Sequence, residues 1–93
     1  MKTFNNLNES TTNIKYYARL TTPNGEVIEL EVDRNGKLDI SKKRLEGKLE
    51  TNAKKVYCYS NKLTSLEAPN AKEVFCGSNK LTSLEAPNAE KVH

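Results

Sequence analysis

The chain has 93 residues, 35 % of them apolar and 29 % charged, with a mean hydropathy of -0.75, which excludes a large α/β enzyme fold and leaves a thin core built from short segments. A formal net charge of +3 permits an acidic partner without marking the chain as a nucleic-acid binder. No apolar run approaches the roughly 20 residues that span a bilayer, and the opening MKTFNNLNES has no apolar signal stretch, so no membrane partner and a cytoplasmic setting in a bacterial host cell are expected.

In chain order, residues 1–13 are rich in Asn, Thr and Ser and leave two readings open, a disordered arm or a short helix begun near Asn8. Residues 14–33 read IKYYARL, TTPNG and EVIELEVD. The alternation of Ile28, Leu30 and Val32 and the Pro-Asn-Gly turn predict a β-hairpin. DRNGK at 33–37 is a second turn signal, so a third strand opens the segment that follows. Residues 1–36 therefore form an N-terminal arm and hairpin cap, and 37–93 a repeat region whose first apolar edge the hairpin covers.

The repeat is explicit. Residues 52–69 read NAKKVYCYSNKLTSLEAP and residues 70–87 read NAKEVFCGSNKLTSLEAP, identical at 15 of 18 positions, and NAEKVH at 88–93 opens another copy. Counting back by the same step brings KLDISKKRLEGKLETN, residues 37–52, into register as a degenerate coil. Leu38, Ile40 and Leu45 then fall where Val56, Cys58 and Leu63 fall, and Leu49 comes one place later than Leu66 requires. Val56 and Cys58 alternate with Lys55, Tyr57 and Tyr59, which predicts a short strand with one buried and one open face. Stacked coils then give a parallel sheet. Asn61 and Asn79 follow the strand, where an amide can satisfy the backbone groups freed by the bend. Pro69 and Pro87 bar a helix from the return leg, so it is extended or turn-like. The expected fold is a mostly all-β, parallel β-solenoid of 18-residue coils.

The spacing Ala53, Val56, Cys58, Asn61, Leu63, Leu66, repeated from Ala71 to Leu84, resembles the leucine-rich repeat pattern L-x-x-L-x-L-x-x-N-x-L in a short bacterial form. Eighteen residues is below that family's usual length, and Lys43 stands in the place of the motif asparagine. Small size, richness in Lys and Asn and the small repeat count also resemble the small phage anti-CRISPR proteins directed at the RNA-guided RNA nuclease of type VI systems. That resemblance implies an inhibitor that binds a bacterial ribonucleoprotein.

The differences between the two clean copies, Lys55/Glu73, Tyr57/Phe75 and Tyr59/Gly77, all fall on the open face of the strand, while exposed return-leg positions are unchanged. Tyr57, Phe75 and His93 are expected to form an aromatic column with Tyr59 beside it and Lys37, Asp39, Lys55 and Glu73 around it, a composition suited to the centre of a protein-binding surface. The structural alternative is that stacked rings merely stabilise parallel strands, by about 0.2–1 kcal/mol per pair. Lys42, Lys43, Arg44 and Lys48 form a basic run that would reach phosphates, with Tyr57 and Tyr59 available for base stacking. The strand left open at residues 88–93 has three readings: a cut chain, a frayed strand, or an edge covered by a target or a second copy as a homodimer.

Cys58 and Cys76 face inward by parity and read as buried thiols; a zinc site lacks further ligands, and no metal or cofactor is expected. No nucleophile has a histidine partner, there is no glycine-rich phosphate loop, and Glu67 and Glu85 sit among lysines on an exposed leg, so a non-enzyme is expected.

Overall fold

The computed structural model describes residues 15–93; the alternatives for residues 1–13 lie outside the described residues. Nine strands follow one another: β1 Ala18–Thr21, β2 Val27–Leu30, β3 Lys37–Asp39, β4 Glu46–Thr51, β5 Lys55–Tyr57, β6 Lys62–Glu67, β7 Glu73–Phe75, β8 Ser83–Glu85 and β9 Lys91–Val92. They form two sheets, a four-stranded one in the order β3-β5-β7-β9 and a five-stranded one in the order β2-β1-β4-β6-β8. Each of the three complete coils contributes one strand to each sheet, and the residues after Pro87 add β9 to the four-stranded one. The fold is a short parallel β-solenoid.

The 18-residue step is visible in the register. Val56 pairs with Leu38 and Val74, and Tyr57 with Asp39 and Phe75, all in parallel. In the second sheet Leu66 pairs with Leu49 and Leu84, so the return leg is extended and builds a parallel sheet of its own. Leu38, Val56 and Val74 from one sheet meet Leu49, Leu63 and Leu66 from the other, and all six are fully buried. Burying one such side chain stabilises by about 1.5–3 kcal/mol. The alanines Ala53, Ala68 and Ala71 are buried where the chain passes between the sheets, and only a side chain that small lets the coil stay thin.

The asparagines close the opposite corner. Asn61 accepts N–H bonds from Lys43 (3.1 Å) and Leu45 (2.9 Å) and donates to the carbonyls of Ile40 (2.8 Å) and Cys58 (3.0 Å). Asn79 accepts from Leu63 N–H (2.9 Å) and donates to the Cys58 (2.9 Å) and Cys76 (3.0 Å) carbonyls. Each amide thus ties its own corner to that of the preceding coil. The same corner places Lys42, Ser60 and Ser78, one repeat apart, in the left-handed region with φ of 60°, 60° and 56°. An L-residue gives up roughly 1–2 kcal/mol there, so the asparagine network offsets local backbone strain.

The hairpin acts as a cap. β1 pairs antiparallel with β2 and with β4, continuing the five-stranded sheet by two strands. Residue 33 begins the second turn: the Asp33 carboxylate accepts the N–H of Lys37 and of Asn35, each at 2.9 Å, and these bonds hold its pKa below the ordinary carboxylate value. The inward alternation expected of Ile28, Leu30 and Val32 is only partly realised. Leu30 and Val32 pack against the core, whereas Ile28 is 41 % exposed, because β2 is the outermost strand of its sheet and the facing sheet has four strands to its five.

The first coil corrects one expected position. Gly47, not Leu45, pairs with Leu63, while Leu45 is half-buried at the corner, where its carbonyl accepts the Lys62 N–H at 2.7 Å. That corner is longer than those that follow and contains two left-handed residues, Lys42 and Arg44. A shift in register between Gly47 and Lys48 then returns Leu49 to Leu66. Gly47 has φ +115° and an added Cβ would run into the Thr21 carbonyl oxygen, so the close approach of β1 at this point requires glycine.

Candidate functional site

The outward face of the four-stranded sheet is a grid. One row runs Lys37, Lys55, Glu73, Lys91, and the next runs Asp39, Tyr57, Phe75, with His93 following Lys91 on the last strand. Tyr57 and Phe75 stack with ring centroids 4.7 Å apart and planes 16° from parallel, and Phe75 meets the His93 ring at 4.8 Å with a 50° tilt. The Lys37 ammonium lies 4.8 Å from the Tyr57 ring centroid and covers the other end of the column. Lys55 and Glu73 form an ion pair at 3.9 Å beside it. Tyr57 and Phe75 are half-buried, so their faces lie against each other and their edges meet solvent as a continuous ridge.

Tyr59 is next to this ridge and 37 % exposed, with the Lys42 ammonium 6.0 Å from its ring centroid. Lys42, Lys43 and Arg44 are exposed at the first corner. Lys48 is not with them. It lies on the outer side of β4, paired with Glu67 at 3.4 Å and Glu50 at 3.9 Å. Lys91 escaped the sequence reading although it stands 18 residues after Glu73, and the repeat count alone finds it.

A concavity of about 730 Å³ lies away from the aromatic ridge and is lined in part by Tyr17, Glu50, Glu67, Pro69, Leu84 and Pro87. Glu50, Glu67 and Glu85 stack one coil apart along it. Glu85 hydrogen-bonds to Glu67, which holds the Glu85 proton to higher pH and pushes the Glu67 carboxyl down, helped by Glu50 and Lys48. Arg19 covers the exposed Tyr17 ring at 4.7 Å at the hairpin end.

Cys58 is fully buried and its thiol is pushed up to about 12 by burial and by Cys76, which is half-buried. Among the described residues no group of three His, Cys, Asp or Glu is arranged to hold a metal ion, and no helix is long and apolar enough to cross a membrane. No family model, curated protein or solved structure matches the chain.

Proposed function

We propose that the protein is a non-catalytic binding module that docks another protein on the open face of its four-stranded sheet and acts by steric occlusion. The observation that carries this reading is the Tyr57–Phe75–His93 ridge on a flat, strand-built surface, flanked by Lys37, Asp39, Lys55 and Glu73. Rigid ring edges present contact area at low conformational cost, and the charged row beside them gives orientation. The two clean copies differ only at positions on or adjoining this surface. A surface under no such demand would have spread three changes over the exposed return leg as well.

The coil spacing supports a leucine-rich-repeat-like binding module, and the small, Lys- and Asn-rich chain supports a phage anti-CRISPR inhibitor whose partner is a type VI RNA-guided ribonuclease in the host cytoplasm. The test is affinity capture from a lysate containing that ribonucleoprotein, comparing wild type with Tyr57→Ala/Phe75→Ala after circular dichroism shows both folded. Retention by wild type alone, with inhibition of RNA cleavage, is expected; equal retention refutes the ridge as the contact. Exposure of Leu84 and Val92, 40 % and 47 %, favours a second reading in which the β8 and β9 end pairs with another copy. Light scattering separates the two, because obligate pairing does not leave a monomer on dilution.

A further inference from the structure

Tyr59 is the one ring on this surface whose coil neighbour supplies no partner. Its equivalent one repeat on is Gly77, and the backbones are tied in register by Ser60 N–H donating to the Gly77 carbonyl at 2.9 Å. Nothing inside the protein requires that glycine. Its φ lies outside the left-handed region, and an added Cβ would meet no atom within 4 Å. Where Tyr57 has Phe75 stacked against it, Tyr59 has an empty place of one side chain's width. The other side of the Tyr59 ring faces the Lys42 ammonium.

The charge around that gap selects its occupant. Lys42, Lys43 and Arg44 are exposed, and among the described residues none of them makes an ion pair. Lys62 and Lys80, also exposed, follow along the same corner in the next two coils. Asp39 and Glu46 are the anions beside the run, and Asp39 has its carboxylate on the Ser41 N–H at 3.2 Å. A guanidinium entering the gap would meet this cationic corner unfavourably. A planar group that brings its own negative charge is complementary to it.

We infer that the Tyr59–Gly77 gap is a nucleotide subsite, in which a base of a single-stranded nucleic acid stacks on Tyr59 and the adjoining phosphates are held by Lys42, Lys43 and Arg44. This goes beyond the protein-docking ridge and stands apart from it: Tyr57 lies between Lys37 and Phe75, and Phe75 between Tyr57 and His93, so neither of these rings offers a base an open face, and Tyr59 does. Stacking on one aromatic side chain is sequence-tolerant, so the site takes any base and reads the strand's charge and flexibility.

The experiment is fluorescence anisotropy of the full chain with a fluorescein-labelled 12-nucleotide oligouridylate, the oligodeoxyuridylate of the same length, and an abasic strand of equal charge, each over a salt series. Tyr59→Ala is expected to weaken oligouridylate binding roughly five- to 150-fold, the range of one base–aromatic stack. Gly77→Tyr, which fills the gap with the side chain that position 59 carries, is expected to weaken it similarly while circular dichroism stays unchanged and the melting temperature does not fall. Neutralising Lys42, Lys43 and Arg44 together to Gln should lower the slope of log K against log salt by about 2, from roughly 0.7 per phosphate contact. Equal binding of both oligonucleotides assigns the site to single strands in general, and preference for one assigns it to that sugar. No binding by any probe at low salt, binding of the abasic strand as tight as that of oligouridylate, or binding that Gly77→Tyr leaves intact overturns the inference. The lysate capture does not depend on any of these outcomes.

Discussion

Replacing Asn61 by Ala removes the clamp between the first two coils, and its cost follows from the bonds lost. Four backbone groups contact the amide at 2.8–3.1 Å: the N–H of Lys43 and Leu45, and the carbonyls of Ile40 and Cys58. The Cys58 carbonyl keeps its bond from Asn79, so the groups left without this partner are the two N–H donors and the Ile40 carbonyl. Each orphaned buried group costs about 1–3 kcal/mol, and water reaches Lys43 at the exposed corner, so a total near 3–4 kcal/mol is expected. Asn79→Ala orphans fewer groups at a half-buried site, for about 1–2 kcal/mol. Urea titration followed by far-ultraviolet circular dichroism reads the difference. With a slope near 1 kcal/mol per molar for a chain of this size, the midpoint of Asn61→Ala falls about 3 M below wild type. A loss under about 1 kcal/mol, or one equal to that of Asn79→Ala, would refute the view that these amides hold the corners together.

Three further outcomes are expected. Gly47→Ala, forced against the Thr21 carbonyl, should cost more than about 3 kcal/mol, whereas Gly77→Ala should stay within about 0.5 kcal/mol; thermal melts of the two compare them directly. In a double-mutant cycle, Tyr57→Ala and Phe75→Ala should couple by about 0.5–1.5 kcal/mol, and additive losses would show that the 4.7 Å stack contributes nothing of its own. The Cys58 thiol has its folded pKa raised from 9.0 to about 12, so burial of the neutral form supports the fold fully below pH 9, and that support declines as pH rises from 9 toward 12. Stability should therefore drop by about 1 kcal/mol between pH 9 and pH 10, on the way to a limiting slope of about 1.4 kcal/mol per pH unit, a decline that Cys58→Ala flattens in urea titrations at pH 8, 9 and 10.

Repetition made the fold legible. Two near-identical stretches fix the step, the step fixes the parallel register, and the alternation at Val56 and Cys58 decides which side chains enter the core. The same arithmetic placed Tyr57 beside Phe75 and set the asparagines at the bends. It failed at Leu45 and Gly47, because the first coil has no clean copy to align against and its corner absorbs extra residues where Lys43 replaces the asparagine. Pairing parity at Ile28 marked an inward face but not how much lies opposite it, since burial there depends on the unequal number of strands in the two sheets. Lys48 illustrates the same limit: nearness to Arg44 in sequence is lost when the chain turns from one sheet to the other. The gap at Gly77 was visible as a letter change, and only the backbone angle and the empty space around it show that nothing in the fold requires it.

The strict 18-residue period has a consequence for how this molecule can change. Duplicating one unit between residues 69 and 70 inserts a single layer about 4.8 Å thick, adds one ring to the line begun by Tyr57, and gives the two layers it separates a near-identical neighbour in place of each other. The length of the ring-bearing face is thus adjustable in discrete increments by slippage of a 54-nucleotide coding segment, with no redesign of the interior.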